Sequence, residues 1–213
     1  MAEQTKSQEK GFSVALGLVD FINPLTYSIN TILIAKGLKA AMNSGQWTAF
    51  LCSICLSLFI GLVIPACKLL VGLGKIEFQL PYGLFFACNL GIFVTGVTLL
   101  SLVAKKGIFI AVTAVLALLI TAAGVASKKF NTSVMLLGLF GYTMIYVCMA
   151  IYAVSAGKWF SFAAFVLACA IMYGIIGFSM KADLTKPKNH WWIEGLNISC
   201  QIIFALGLLV LVR

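Results

Sequence analysis

Long apolar runs separated by short polar turns make up almost the whole chain. A membrane-spanning helix needs about 20 predominantly apolar residues, and runs of that length predict helices at 11–35, 47–73, 79–103, 107–127, 132–156, 158–180 and 190–212. The gaps at Lys105-Lys106, Ser127 to Asn131 and Gly157-Lys158 are so short that successive helices must be antiparallel neighbours, and only 181–189 (KADLTKPKN) is long enough to be a loop. The pattern therefore predicts an all-α, polytopic integral membrane helical bundle of about seven transmembrane helices. It forms a single transmembrane domain over 11–213, behind a polar N-terminal tail, 1–10 (MAEQTKSQEK), whose composition suits a disordered cytosolic segment. The first run is longer than a signal-peptide core and lacks an A-x-A exit, which predicts a retained helix.

Composition sharpens this picture. Of 213 residues, 62% are hydrophobic and 10% charged, and the mean hydropathy is +1.08; a soluble domain of this size could not hide so much apolar surface, so a lipid bilayer must be its solvent. The net charge of +9 comes mostly from lysines in the gaps, a pattern of membrane boundaries with none of the arginine-rich, aromatic-interleaved face of a nucleic-acid binder. Lys6, Lys10, Lys68, Lys75, Lys128, Lys129, Lys181, Lys186 and Lys188 fall on one side, against Lys36, Lys39, Lys105, Lys106, Lys158 and Arg213 on the other. That bias predicts a cytosolic N-terminus in the plasma membrane. Trp47, Trp159 and His190-Trp191-Trp192 stand at helix starts as interfacial anchors.

All seven cysteines (52, 55, 67, 88, 148, 169 and 200) lie inside apolar runs, where thiols act as small hydrophobes rather than a disulfide framework. Cys52 and Cys55 form a C-x-x-C, the one redox-capable spacing present. Small residues recur at four-residue spacing in Ser57/Gly61, Ala87/Gly91, Ala164/Ala168 and Ala170/Gly174, predicting close helix contacts. Gly83-Leu84-Phe85 and Gly138-Leu139-Phe140 give a faint internal echo, which a tandem hairpin repeat or chance resemblance between apolar segments explains equally well.

Candidate chemistry centres on the first helix. Asp20, Asn23, Tyr27, Asn30 and Thr31 fall on one face, and Pro24 denies the Asp20 carbonyl its backbone donor. An acid beside a broken turn at membrane depth costs at least ~2.5 kcal/mol unless it meets protein or water. The functional reading is a solute or cation site, or a proton-carrying carboxyl; the alternative is a proline kink whose polar groups pair with a neighbour. Glu194, Asn197 and Gln201 form a second stripe on the last helix, with Glu194 either facing that site or hydrated near the interface. Lys68, after Pro65, reads as snorkelling to the surface, with pairing to Asp20 or Glu194 as the alternative. Asn89, Thr95 and Thr98 could add hydrogen bonds, threonine more often back-bonding its own helix, and Tyr142 and Tyr146 read as packing.

Other chemistries lack residues. One histidine and six acids give no metal motif, phosphate loop or nucleophile elbow, so no cofactor or metal is expected. Asn131-Thr132-Ser133 is a formal sequon that the topology turns to the cytosol.

Gly17-Leu18-Val19-Asp20-Phe21-Ile22-Asn23-Pro24 resembles the G-L-x-D-x-x-N-P helix pattern of small exporter-like families of the lysine-exporter superfamily and of the DsbD/CcdA thiol-electron carriers. The following basic turn (Lys36, Lys39) and a second helix ending in Val71-Gly72-Leu73-Gly74 are similar too, so the resemblance covers about 60 residues. It implies a broken-helix site at Asp20, Asn23 and Pro24. Three departures limit it: Leu25 stands where the thiol carriers have cysteine, no second Asn-Pro follows, and there are seven predicted helices rather than six.

The expectation is a transporter or channel for a small solute or ion, with Asp20, Asn23, Tyr27 and Asn30 facing Glu194, Asn197 and Gln201. The alternatives are a membrane enzyme using Asp20 and Glu194 as acid and base on a lipid or isoprenoid, and a non-catalytic subunit of a larger membrane complex. Homo-oligomerisation fits any of the three.

Overall fold

The computed structural model describes residues 13–76, 82–104, 108–126, 130–179, 181–182 and 187–213. The predicted tail, the turns at 105–107 and 127–129, and the side chains of Gly83 to Phe85, Asn131 and Thr132 lie outside the described residues.

The first run does not form one helix. Ser13 caps α1 (Val14–Asp20) by accepting from the Leu16 N–H at 3.2 Å, and the helix stops where Pro24 cannot supply the next bond. Phe21 alone separates it from α2 (Ile22–Leu38), its N–H turning back to Leu18 in a tightened bond of 3.2 Å. A 3₁₀ turn, Lys39–Ala41, then leads to Asn43, which caps α3 (Ser44–Gly72) in a reciprocal box with Gln46. Then follow α4 (Tyr82–Ala104), α5 (Ile108–Ala126), α6 (Phe130–Ser155), α7 (Trp159–Ser179) and α8 (Pro187–Leu211). Gly157, at φ 67°, makes the tight turn from α6 to α7 by letting the Lys158 N–H reach back to the Ala153 carbonyl at 2.8 Å.

Six segments are long and apolar enough to cross a bilayer, with α1 and α2 counting as one, and Val115–Ala126 in α5 is a shorter apolar helix. Together they make the predicted seven. An odd number of crossings makes the first and last helices parallel, and the side-chain pairing shows it: Asn23 meets Glu194 and Asn30 meets Gln201, both partners advancing by seven residues. Consecutive helices run antiparallel, as α1 and α3 do where Gly17 faces Leu69 and Gly72 faces Val14.

Packing follows the logic of lipid, where small residues let backbones approach. A Cβ on Gly17 would sit 2.8 Å from the Leu69 backbone, and one on Gly141 2.7 Å from the Phe93 nitrogen, so α1 lies directly on α3 and α6 on α4. Of the predicted small pairs, Ser57 meets Gly91 of α4, Gly61 meets Pro24, and Ala164 and Ala168 face α8. Ala170 and Gly174 instead lie on the exposed side of α7, with nothing near Gly174, because helical periodicity turns that pair away from α8.

Helix α2 is apolar outside and polar inside. Ile22, Leu25, Ile29 and Ile32 are exposed, whereas Pro24, Asn30 and Thr31 are buried. The buried core is shared by α2, α3, α4, α6, α7 and α8, with Phe165 and Phe204 in ring contact at 5.1 Å. Trp159, Trp191 and Trp192 are exposed at helix starts, and Trp47 lies beneath the Lys39 ammonium, 5.3 Å from its ring centre.

Candidate functional site

The break at Phe21 aims the end of α1 into the bundle. Asp20 sits six residues inside α1, Lys68 four from the end of α3 and Glu194 seven inside α8; at 1.5 Å per residue all three lie roughly 6–10 Å in from the same end of the bundle. They converge there. Lys68 Nζ is 2.7 Å from Asp20 Oδ2 and 3.1 Å from Glu194 Oε1, while Asn23 Nδ2 donates to Glu194 Oε2 at 2.5 Å and to Asp20 Oδ1 at 3.3 Å. Asp20, Lys68 and Glu194 are only 7%, 8% and 4% exposed.

This arrangement corrects one expectation and decides between the two readings of another. Lys68 does not snorkel to the surface, because two carboxylates in its own layer offer a better partner than water does. Glu194 is not a hydrated interfacial acid, since α8 turns it onto α1 and α2. Lys68 is thus part of the site, which the general preference of lysine for the surface conceals in the sequence. The signal for including it was the proline three residues before it and the absence of any other cation for two intramembrane acids.

A second polar layer lies two turns deeper. Asn30, 1% exposed, donates to Gln201 Oε1 at 2.6 Å and to its backbone carbonyl at 3.2 Å. Ser53 and Thr95 share a 2.8 Å hydroxyl contact across α3 and α4, and Thr95 and Thr98 also back-bond their own helix as expected. Tyr27 stands between the layers. Its hydroxyl, with Asn23 Oδ1 and Asn30 Oδ1, is buried without a hydrogen-bond partner among the described residues. Such oxygens are costly unless a water or ion completes them. Of the seven predicted residues the structure places five in these two polar layers and Tyr27 between them; Asn197 is half-buried on α8 and takes part in neither. Tyr142 and Tyr146 pack as predicted, their rings stacked at 5.9 Å.

Two cavities flank the deeper layer. A small one of about 10 Å³, near the least space that holds a water, touches Tyr27, Asn30, Ile34, Thr95, Ile145 and Gln201. A large one of about 950 Å³ opens at the end of the bundle opposite Asp20, against Leu38, Gln46, Leu99, Ser101, Met149 and Tyr152. Ile34 and Leu38, Thr95 and Leu99, and Ile145 and Met149 are each four residues apart on α2, α4 and α6. The two linings are thus one helical turn, roughly 6 Å, apart along the bundle, and the side chains of that turn form the septum between them.

Cys52 and Cys55 are free and exposed on the outer face of α3, and no described cysteine is paired. No cluster of three or more potential metal ligands occurs among the described residues. The chain was compared with family models, with curated proteins and with solved structures, and none of the three comparisons gave a match.

Proposed function

We propose that the chain is a small membrane transporter in which the Asp20–Lys68–Glu194 cluster takes up and releases a proton or a small cation. The carrying observation is the charge count. Two carboxylates face one ammonium in a buried layer, leaving an excess negative charge that burial penalises until a proton or monovalent cation neutralises it. Asn23 bridges both acids, and the unpartnered Tyr27 hydroxyl, one turn further along α2, offers the next polar group on the way inward. The resemblance of Gly17 to Pro24 to exporter-like helices supports the same reading.

The alternatives find less support. A lipid-modifying enzyme needs an acid open to substrate, whereas both acids here are engaged by Lys68 and closed off. A purely structural subunit would carry its polar stripe outward to a partner, whereas this one turns inward. The lysine bias, eight against six once the buried Lys68 is set aside, favours a cytosolic N-terminus and with it a charged cluster near the cytosolic face.

The test uses purified protein in liposomes carrying an internal pH dye or radiolabelled sodium. An imposed proton or sodium gradient is expected to drive flux with wild-type protein and to drive none with Asp20→Asn or Glu194→Gln, both still monodisperse in detergent. Equal flux through wild type and Asp20→Asn would overturn the proposal.

A further inference from the structure

The large cavity at the end of the bundle opposite Asp20 is not absorbed by the transport reading, and its chemistry differs from that of the charged cluster. Its floor is apolar and fully buried: Leu38, Leu99, Cys148 and Met149 are each 3% exposed or less. Its polar groups, Asn43, Gln46 and Ser101, lie on the walls, and Gln46 Nε2 donates to Ser101 Oγ at 3.1 Å across α3 and α4. At about 950 Å³ it lies at the upper end of small-molecule sites.

The charge around it has one sign. The segments that build this end, 36–46, 98–104 and 148–159, contain no Asp or Glu, while Lys36 and Lys39 flank Leu38, and Lys158 follows Ser155 by three residues. Arg213 joins them, because its neighbour Val212 packs on Gly37. Both described acids are at the other end of the bundle. The first turn of α3 forms part of the wall, so the positive end of that helix adds to the same field.

We infer that this cavity is a binding site for an amphiphilic anion, a carboxylate or phosphate monoester with an apolar tail. The tail lies on Leu38, Leu99 and Met149, and the head group lies toward the lysines of this end of the bundle, which are outside the lining itself. The apolar floor rejects inorganic anions, which cannot replace their hydration there. The positive charge of this end disfavours amphiphilic cations. The ligand arrives either from the aqueous face or as an anionic lipid of the surrounding leaflet.

The experiment uses the full chain in phosphatidylcholine nanodiscs, with a photoreactive dodecyl phosphate and its chain-matched trimethylammonium analogue as probes. Saturable labelling by the phosphate, mapped to 36–46, 98–104 or 148–156, is the expected result. The combined change Lys36→Gln, Lys39→Gln and Lys158→Gln should weaken it about tenfold. Ser155→Trp, at the exposed mouth, should block it without touching the buried floor. Asp20→Asn should leave it unchanged, so a failure of the transport reading does not carry over to this site. Displacement by added phosphatidylglycerol identifies a lipid ligand and resistance to it an aqueous one; both support the anion site. Equal labelling by the trimethylammonium probe, or labelling that the lysine changes do not weaken, would overturn it.

Discussion

Lys68 is the residue on which the charged layer depends. Among the described residues it is the one cation paired with the two buried carboxylates, and its removal leaves both without that partner. Breaking a buried ion pair from one side typically costs about 3–5 kcal/mol, whereas replacing the whole set with neutral groups costs far less. Lys68→Met should accordingly lower the thermal midpoint in detergent sharply, and adding Asp20→Asn and Glu194→Gln to it should recover most of that loss. If the triple variant melts no higher than Lys68→Met, the pairing is not what stabilises the layer. The acids were legible in the sequence because an intramembrane carboxylate needs a reason. Their cation was not, because the preference of lysine for the surface is general, whereas the position of Lys68 against Asp20 depends on how α1 lies on α3.

Among the elements, α1 is placed by what it lacks. Gly17 sits against the Leu69 backbone and Gly72 against Val14, so two glycines on facing helices set the approach that puts Asp20 beside Lys68. Gly17→Val should force the helices apart at a cost of about 1–3 kcal/mol and abolish flux. Gly174→Val on the exposed side of α7, with open space around it, should alter neither melting nor flux. Equal melting of the two variants would show that the α1–α3 contact does not position the cluster. The sequence announced helices, proline break and inward stripe, since each follows from local periodicity and backbone chemistry. It did not announce which small residues meet: Gly61 and Gly174 look alike in sequence, but one faces Pro24 and the other faces outward.

Across the whole molecule, the parallel run of α2, α4 and α6 sets the two cavities end to end, one helical turn apart. In a background with the native cysteines replaced by alanine, an impermeant maleimide should modify Ser101→Cys from the face where the large cavity opens. It should modify Thr95→Cys only when Leu99→Ala thins the septum. Modification of Thr95→Cys with Leu99 intact would mean that the wall is already open. Nothing in the apolar periodicity foretold either cavity, because voids arise from how the seven helices fail to fill space between them rather than from any one of them.

Pro24 and Pro65 weaken this architecture at one place. Gly61, whose carbonyl Pro65 leaves without a backbone donor, lies against Pro24, so the weakened points of two neighbouring helices share one level. Beyond that level α1 and the last two turns of α3 are clamped backbone to backbone, and they carry Asp20 and Lys68 as a joined pair, whereas Asn23 and Glu194 belong to α2 and α8. Were this clasp to swing, Asp20 and Lys68 would travel together, and the parting would fall at two contacts, Lys68 to Glu194 and Asn23 to Asp20, baring the glutamate to whatever waits at that surface.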